Sequence, residues 1–368
     1  MILFQIRSWL VTGRAFLRYF AYRLGYCSPP AFRDRLAELV EVFSRFYRCR
    51  TRLRIINVEH CPQSGPAVVA LNHIKSDDPF LGFPSIYYGS KGAVEPWFMM
   101  RDDFFKGTKK HKLYDFDELL NMMASIQINR ENVTLAQLRP FLNLLREGGV
   151  FAMYTGRSRS KSGLVFEYSD TVTEPGSVAF FIAQIQRSRP EPLIPAVPLT
   201  RTWNPATMKS TFAFGPHLYL KPGATREEQR AFDDDLTIAI TEGIELNATQ
   251  LTAGLLYLRC LHGKQGPWPF EACAAGVREV LGRCPSRRVY PDTVNDCEGE
   301  IRRTLDYFAK HELLQWNKRE IAPVAERILA APPVDFDYRE RNPIKFVLNQ
   351  VIHYTDVIAA LEDVVLRP

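Results

Sequence analysis

The sequence predicts an α/β protein built on a mostly parallel sheet flanked by helices. Between residues 66 and 214, short apolar runs of strand length alternate with helical stretches, and this alternation is typical of parallel sheets with helical connections. The chain has 368 residues, of which 46% are hydrophobic and 24% charged, so it can bury a large core. An amphipathic helix before this unit and a small helical domain after it complete the predicted architecture.

The individual elements are predicted in chain order. The strands are expected at Pro66–Leu71, Trp97–Met100, Ser125–Ile128, Val150–Tyr154, Leu193–Leu199 and Thr211–Phe214. Helical patterns lie near 79–88, 114–123, 133–147, 175–187 and 225–247. Mainly helical sequence then follows, with helices expected at Thr252–Leu261, Phe270–Leu281 and Cys297–Leu314. We therefore divide the chain into an N-terminal region at 1–50, an α/β domain at 51–249 and a C-terminal domain at 250–368.

The C-terminal domain raises one alternative function. Three helices with a possible wing would suit a winged-helix domain, and many such domains bind nucleic acid. The segment 250–330 carries no basic stripe along its helices, however, and such a stripe is the electrostatic mark of a nucleic-acid-binding surface. We therefore expect no nucleic-acid partner.

Positive charge is concentrated at the N-terminus. The net charge of the whole chain is +6, but residues 1–54 alone contain eleven Arg and three acidic residues. As a helix, residues 2–24 would carry Ile2, Ile6, Trp9, Phe16, Leu17, Phe20 and Leu24 on one side and Arg7, Arg14 and Arg18 on another. A core-packing helix with a solvated Arg face is one interpretation. Large aromatics opposite Arg side chains favour a membrane surface with anionic lipids.

The same region predicts how the chain meets a membrane. No run of roughly 18 apolar residues occurs, which argues against a transmembrane helix. Arg residues interrupt the first apolar stretch, unlike in a signal peptide. We therefore expect a peripheral or monotopic protein on the cytoplasmic face of a membrane. The seven cysteines are widely spread without a C-x-x-C pair, so we also expect a reducing compartment and no bound metal.

The segment Ala70–Phe80 contains a candidate acid–base pair. An apolar strand ends at Asn72, and Asp78-Pro79 has the pattern of a helix start. This pattern puts His73 at the sheet edge where active sites of open α/β sheets lie. Imidazole can take a proton from a hydroxyl, and a carboxylate on its other nitrogen stabilises the resulting imidazolium. The alternative is a structural His73 with Asp78 serving only as a helix cap.

A second candidate site follows the strand Val150–Tyr154. The loop Tyr154–Gly163 contains two Gly, four small hydroxyl residues and three cations, without an acid. Backbone amides, hydroxyls and guanidinium groups suit a bound phosphate, although a solvated basic loop has the same composition. Two further segments are ordinary by themselves. They are the strand Ile126–Arg130, which ends in Arg, and the apolar strand Leu193–Leu199, whose prolines indicate a sheet edge or a pocket wall.

Together, these four segments resemble the glycerolipid acyltransferase superfamily, the glycerol-3-phosphate and 1-acylglycerol-3-phosphate acyltransferases. That family carries Asn-His-x4-Asp, a strand ending in Ile-x-Arg, the block Glu-Gly-Thr-Arg-Ser or Glu-Gly-Gly-Arg-Ser-Arg, and an Ile-Pro-x-x-Pro stretch. Matching segments occur here in that order over residues 68–199. Residues 98–105 and 338–344 also look like parts of this family. The order of four motifs is more specific than any one of them.

The resemblance implies roles for individual residues. His73 and Asp78 would be the catalytic dyad. The acceptor's phosphate would be bound by Arg130 and Arg157, with Arg101, Arg159 and Ser158 as further candidates. Asn72, Tyr154, Gly156 and Pro195 would line the acceptor or acyl pocket. The chain departs from the family at Tyr154, where the family has a Glu associated with the glycerol end of the acceptor.

The resemblance also implies an activity. A fatty acyl group would pass from acyl-CoA or acyl-carrier protein to a hydroxyl of glycerol-3-phosphate in phospholipid biosynthesis, without cofactor, metal or covalent acyl-enzyme. The alternative acceptor is 1-acylglycerol-3-phosphate or another lysophospholipid. The alternative of another class is a catalytically silent membrane scaffold with the same fold, which Tyr154 favours. The expected partners are an anionic membrane surface, a glycerolipid acceptor and an acyl thioester donor.

Overall fold

The computed structural model describes residues 10, 13–14, 17, 20–21, 24–27, 53–75, 78–101, 125–128, 134–156, 159–167, 177–330 and 338–367. Three predicted site residues, Arg130, Arg157 and Ser158, lie outside these residues, as does the predicted helix at 114–123. Only the backbone of Arg101 is described.

Eight strands of the described chain form one mixed sheet, with the order β1-β7-β6-β2-β5-β3-β4 and with β8 paired to β6. The strands are β1 (Leu53–Ile56), β2 (Ala67–Leu71), β3 (Pro96–Arg101), β4 (Ser125–Ile128), β5 (Val150–Tyr154), β6 (Pro195–Asn204), β7 (Lys209–Phe214) and β8 (Leu218–Tyr219). Strands β2 to β6 are parallel to one another, whereas β7 and β8 are antiparallel to β6. The predicted α/β fold with a mostly parallel sheet is confirmed, and β1 and β8 are additions to it.

The prolines of β6 do not mark a sheet edge, so that interpretation is wrong. β6 pairs with β2 on one side and with β7 and β8 on the other. Pro195 takes the first position of the strand, where a missing N–H is tolerated.

Helices cover both faces of the sheet. The first, α1 (Asp78–Gly89), packs on one face, and α2 (Leu135–Arg146), α3 (Val178–Gln186) and α4 (Arg226–Glu242) pack on the other. Along β2, Val69 and Leu71 belong to the core under α1, whereas Val68 and Ala70 belong to the core under the other three helices. Both faces of the central strands are therefore closed to solvent, which explains why these strands are continuous apolar runs.

Polar side chains begin several of these helices. Thr134 and Gln137 form a reciprocal capping box at the start of α2, and Thr225 and Glu228 form another at the start of α4. Each box satisfies two backbone amides that would otherwise have no intrahelical partner. The helices consequently begin within a few residues of the predicted positions.

The C-terminal part contains helices and a small sheet. The helices are α5 (Ala248–Leu261), α6 (Phe270–Arg283), α7 (Pro291–Asn295), α8 (Cys297–Lys310), α9 (Ala325–Leu329), α10 (Tyr338–Arg341), α11 (Pro343–Asn349) and α12 (Thr355–Leu366). The strands β9 (Trp268–Pro269), β10 (Leu314–Trp316) and β11 (Glu320–Pro323) form an antiparallel sheet of order β10-β11-β9. The hairpin of β10 and β11 lies where the sequence allowed a wing.

One predicted helix in this part is too long. The helix expected at Cys297–Leu314 ends at Lys310. Glu312 adopts a left-handed conformation with φ of 57°, which a helix cannot continue through. Leu314 then begins β10.

The C-terminal helices share a core with the sheet. One continuous apolar cluster contains Phe151 of β5 as well as Phe346 of α11. A buried polar contact joins the same parts, because the Glu300 carboxylate accepts hydrogen bonds from Asn204 Nδ2 at 2.6 Å and from Thr293 Oγ1 at 2.5 Å. The end of β6 is thereby tied to α7 and α8.

The described N-terminal residues include helical positions at Leu10, Gly13, Arg14, Leu17, Phe20 and Ala21. The side chains of Leu10, Leu17 and Leu24 are 68%, 71% and 71% exposed. Their spacing of seven places them on one side of a helix. Within the part of the chain that the structure describes, no helix is both long and apolar enough to cross a membrane. Contact of this region with a membrane stays a prediction.

Candidate active site

His73 and Asp78 meet at the turn that joins β2 to α1. His73 Nδ1 lies 2.6 Å from Asp78 Oδ2, and the backbone N–H of Lys75 donates to the same oxygen at 2.8 Å. The His73 side chain is 18% exposed, whereas that of Asp78 is 1% exposed. A hydrogen bond from Nδ1–H to the carboxylate leaves the lone pair of Nε2 for a substrate proton.

The end of β2 is held from both sides. The side chain of Asn72 bridges to β6, because Nδ2 donates to the carbonyl of Arg201 at 3.0 Å and Oδ1 accepts from its N–H at 2.7 Å. On the other side, the N–H of Thr155 donates to the carbonyl of Leu71 at 3.1 Å. Asn72 is buried and therefore acts on the backbone that carries His73.

Arg201 is a site residue that the sequence did not predict. Its Nη1 forms an ion pair with Asp78 Oδ1, and its Nη2 donates to Ser210 Oγ at 3.0 Å. The side chains of Arg201 and Asp78 are 2% and 1% exposed. Asp78 therefore binds His73 through one oxygen and a buried guanidinium through the other.

The charges around Asp78 keep it ionised. Burial by itself would raise the pKa of the Asp78 carboxyl, but the charge of Arg201 and the hydrogen bond and charge of His73 outweigh burial. The resulting pKa lies below the usual value of 3.8. The ion pair therefore stabilises the fold above that usual pKa, and this stabilisation is lost as the pH falls through the lowered value. At neutral pH the carboxylate is anionic and can stabilise an imidazolium.

One sequence signal could have indicated Arg201. The apolar run that ends at Leu199 continues as Thr200-Arg201-Thr202-Trp203, in which Thr and Trp favour a strand, and a charge inside a buried strand is rarely placed without a partner. The predicted strand ended at Leu199, whereas β6 continues to Asn204. Arg201 therefore fell outside the predicted core.

The carboxyl ends of four parallel strands lie along the edge that carries the dyad. Leu71 at the end of β2 pairs with Tyr154 at the end of β5, and β3 pairs with both β5 and β4. Arg101 is the last residue of β3. Arg130 and Arg157 lie outside the described residues, but the strands that precede them, β4 and β5, end at this edge.

Tyr154 packs on the imidazole. The rings of His73 and Tyr154 have centroids 4.5 Å apart and an interplanar angle of 31°, and the ring of Phe98 lies 6.1 Å from that of Tyr154. Gly82 of α1 leaves room for the tyrosine, because a Cβ there would lie 3.2 Å from its Oη. The position at which the resembled family has Glu therefore supplies an aromatic wall beside the dyad.

Three further site candidates lie within the described residues, and one of them, Pro195, is far from the dyad. Gly156 is buried and Arg159 is half-buried, and both follow the end of β5. Pro195 is not brought to the dyad. Leu71 pairs with Leu199 of β6, so Pro195 lies roughly 13 Å farther down the strand, at about 3.3 Å per residue.

The fold resembles a known structure, whereas the sequence matches no known family. No known protein family matches the sequence, and no curated protein is similar to it in sequence. The fold is similar to the crystal structure of the 1-acyl-sn-glycerophosphate (LPA) acyltransferase PlsC from Thermotoga maritima. The two chains are 14% identical with a TM-score of 0.39, over 64% of this chain and 92% of that chain. At this identity and TM-score the match identifies neither a family nor a function.

Other chemistries find less support among the described residues. Within the described ranges, no group of three or more His, Cys, Asp or Glu is placed to hold a metal ion. Burial raises the pKa of the Cys61 thiol to about 12 and those of Cys260 and Cys297 to about 11. These thiols are protonated at neutral pH and are poor nucleophiles. The catalytic group that the described residues do assemble is the hydrogen-bonded pair of His73 and Asp78.

Proposed function

We propose that this chain is an O-acyltransferase that moves a fatty acyl group from a thioester to a hydroxyl of a phosphorylated glycerol acceptor. The observation that carries the proposal is the 2.6 Å contact between a partly exposed His73 and a buried, anionic Asp78. The four sequence motifs that resemble glycerolipid acyltransferases support the same reaction, since their order is the order of that family.

The dyad would act as a general base and then as a general acid. His73 Nε2 takes the proton of the acceptor hydroxyl while its oxygen attacks the thioester carbonyl carbon. The tetrahedral intermediate collapses, the C–S bond breaks, and His73 returns the proton to the thiolate. The products are an ester and a free thiol. Asp78 stabilises the imidazolium between the two proton transfers.

Glycerol-3-phosphate is the acceptor that we favour. The run Gly156-Arg157-Ser158-Arg159 and the C-terminal segment at 338–344 resemble the glycerol-3-phosphate type. The donor would be acyl-CoA or acyl-carrier protein, and the product would enter phospholipid biosynthesis. 1-Acylglycerol-3-phosphate is the alternative acceptor, because it offers the same phosphate and a glycerol hydroxyl.

A turnover assay with defined substrates tests this proposal. Purified protein would be given anionic vesicles, each acceptor in turn and each type of donor, and the lipid formed would be identified by mass spectrometry. We expect an acylated glycerophosphate from the wild-type protein and almost none from His73→Ala. If the wild-type protein forms no acylated product from any pair, the silent scaffold becomes the better account.

Arg157 is expected to govern affinity for the phosphorylated acceptor. Arg157→Lys keeps the charge but loses the bidentate fork that suits a phosphate. We expect a higher KM for the acceptor and little change in the KM for the donor. Arg146→Lys is the matched control, because Arg146 is an exposed residue that binds Asn143 Oδ1 at the end of α2. A higher donor KM instead would assign the loop Tyr154–Gly163 to the thioester.

The N-terminal region is expected to dock on an anionic membrane. Each Arg near such a surface contributes about 1 kcal/mol, so Arg7, Arg14, Arg18 and Arg23 together could contribute ~4 kcal/mol before screening by salt. The exposed side chains of Leu10 and Leu17 would add an apolar contribution that salt does not screen. Deletion of residues 1–25 should therefore shift the protein from the membrane to the soluble fraction.

A substitution makes the docking test sharper than the deletion. Leu10→Asp combined with Leu17→Asp should lower sedimentation with anionic vesicles while leaving the α/β fold intact. Leu261→Asp is the control, because Leu261 is also an exposed leucine at the end of a helix, 55% exposed, but in the C-terminal part. Equal sedimentation of the double variant and the wild-type protein would contradict docking through this face.

A further inference from the structure

The loop that begins at the phosphate-binding candidate Arg159 is ordered by its own polar groups. We name residues 159–167 the site loop. The Glu167 carboxylate accepts hydrogen bonds from the N–H groups of Lys161 at 2.8 Å and Ser162 at 3.0 Å. Ser160 Oγ accepts from the N–H of Gly163 at 2.9 Å. The loop thus has a defined shape although it contains neither helix nor strand.

The inner side of the site loop is bound to the backbone of the catalytic histidine. The N–H of Ser160 donates to the carbonyl oxygen of His73 at 2.7 Å. His73 lies on a turn between β2 and α1, where no sheet or helix hydrogen bond holds its carbonyl. The position of the site loop therefore affects the position of His73.

The outer side of the site loop is held by the C-terminal part of the chain. We name residues Tyr338–Asn349, which comprise α10 and α11, the clamp segment. The N–H of Tyr338 donates to the carbonyl of Lys161 at 2.9 Å. Asn349 Nδ2 donates to the carbonyl of Ser162 at 2.9 Å. These two hydrogen bonds satisfy consecutive carbonyls of the loop.

Gly163, the next residue of the loop, lies directly against the clamp segment. A Cβ at this position would be 2.0 Å from the carbonyl oxygen of Phe346, and the φ of Gly163 is +92°. Two backbones therefore meet here at a distance that no side chain would permit. Three successive loop residues, Lys161 to Gly163, contact the clamp segment.

A second route joins the clamp segment to the dyad. The ring of Phe346 meets the ring of Trp203 edge to face at 5.9 Å, and Lys75 Nζ lies 4.8 Å from the centroid of Trp203. The backbone N–H of Lys75 in turn donates to Asp78. The clamp segment is thus connected to both members of the dyad, through the loop and through Trp203.

We propose that the clamp segment is a positioning element of the active site, which holds the site loop against His73 and so orients the phosphate of the acceptor. This inference rests on the proposed acyltransferase function. Arg159, a candidate for binding the phosphate, is the first residue of the site loop, so a loop held at one place limits where its guanidinium can reach. The C-terminal part would thereby contribute to acceptor binding through the site loop. Preorganisation of this kind lowers the entropic cost of binding.

Two variants of the full-length protein, one in the clamp segment and one in the site loop, test this inference. Asn349→Ala removes one hydrogen bond to the loop, and Gly163→Ala forces the loop away from Phe346. The matched control for the second is Gly223→Ala, because Gly223 also has a positive φ, +73°, but no atom lies within 4 Å of its Cβ position. Asn317→Ala is the control for Asn349→Ala. The described hydrogen bonds of the Asn317 side chain are local, because it accepts from the N–H groups of Arg319 and Glu320 where β10 turns into β11.

Two readouts separate a positioning role from general destabilisation. Amide hydrogen exchange of residues 159–167 should become about fivefold faster in Asn349→Ala, the effect of losing one hydrogen bond, and faster still in Gly163→Ala. The acceptor KM should rise about fivefold or more with an unchanged donor KM. Both controls should match the wild-type protein in exchange of this loop and in both KM values.

The outcomes distinguish this inference from the proposed function. Wild-type exchange rates of residues 159–167 in both Asn349→Ala and Gly163→Ala would show that the clamp segment does not hold the site loop, whatever the activity. Faster exchange with an unchanged acceptor KM would overturn its role in binding the acceptor. No turnover by the wild-type protein with any acceptor would overturn the acyltransferase function, while the exchange rates would still show whether the clamp segment holds the loop.

Discussion

His73→Ala should lower turnover by a factor on the order of 10²–10⁴, the range expected when a general base is lost. The fold should be little affected, because the His73 side chain is partly exposed. Among the described residues, its ring nitrogens form a hydrogen bond only with Asp78. The measurement is kcat with the best acceptor and donor, together with Tm. A normally folded His73→Ala protein with wild-type activity would rule out the dyad.

Asp78→Asn should also abolish most of the activity, because an amide cannot stabilise an imidazolium as a carboxylate does. From the sequence alone, this substitution is expected to cost little stability, since Asn caps a helix nearly as well as Asp. The structure changes that expectation. Asp78 is the buried partner of Arg201, and leaving a buried charge without its partner costs about 3–5 kcal/mol. A clear fall in Tm is therefore expected as well.

Asp77 is the internal control for this substitution. It is the neighbouring carboxylate in the sequence and lies outside the described residues. Asp77→Asn should keep both the activity and the Tm of the wild-type protein, since the motif spacing and the 2.6 Å contact both select Asp78. An inactive Asp77→Asn protein beside an active Asp78→Asn protein would show that the catalytic carboxylate has been misassigned.

Arg201→Met should lower turnover at neutral pH on the order of 10–100-fold, by analogy with the loss seen when a partner that orients a metal-bound histidine is removed. Burial raises the pKa of the Asp78 carboxyl, and the charge of Arg201 lowers it. Removal of the guanidinium leaves the effect of burial less opposed, so this pKa rises. Asp78 is then protonated at pH values at which it is anionic in the wild-type protein. The acid limb of the pH profile of kcat should consequently move to higher pH, which a merely structural defect would not produce.

The stability of the Arg201 variants supplies the second half of this test. Arg201→Met leaves the buried Asp78 carboxyl without its cation and should cost up to about 3–5 kcal/mol at pH values where Asp78 stays ionised. The double variant with Asp78→Asn removes both charges, so its Tm should exceed that of either single variant although its activity stays low. Arg201→Lys should be intermediate, since it keeps a cation but cannot contact both Asp78 and Ser210 as a fork.

Arg54 provides a matched control for Arg201. It lies on β1 and forms an ion pair with the buried Glu245. Arg54→Met should therefore lower Tm without moving the acid limb of the pH profile. If Arg201→Met leaves the pH profile and Tm of the wild-type protein unchanged, the buried ion pair has no role in the dyad.

Much of the fold could be predicted because local patterns and burial agree along this chain. The continuous apolar strands β2 and β5 indicate a sheet covered on both faces, and the structure shows them so. Capping residues such as Thr134 and Thr225 mark helix starts within a few positions. Local pattern was less informative for β6. Its prolines suggested an edge, but the strand is internal, because its other residues still pair on both sides.

The sequence by itself was enough to identify His73 and Asp78 as a candidate dyad. They are five residues apart, and a strand-to-helix turn is enough to bring them together. Only the tertiary structure decided what Asp78 binds on its other side, because Arg201 is 123 residues away along the chain and no local pattern encodes a contact between β6 and the start of α1. The clamp segment and the site loop are likewise distant in sequence, since Asn349 lies 187 positions after Ser162. Contacts of this kind form only when the sheet and the C-terminal helices close one common core, and they depend on packing that residue spacing does not reveal.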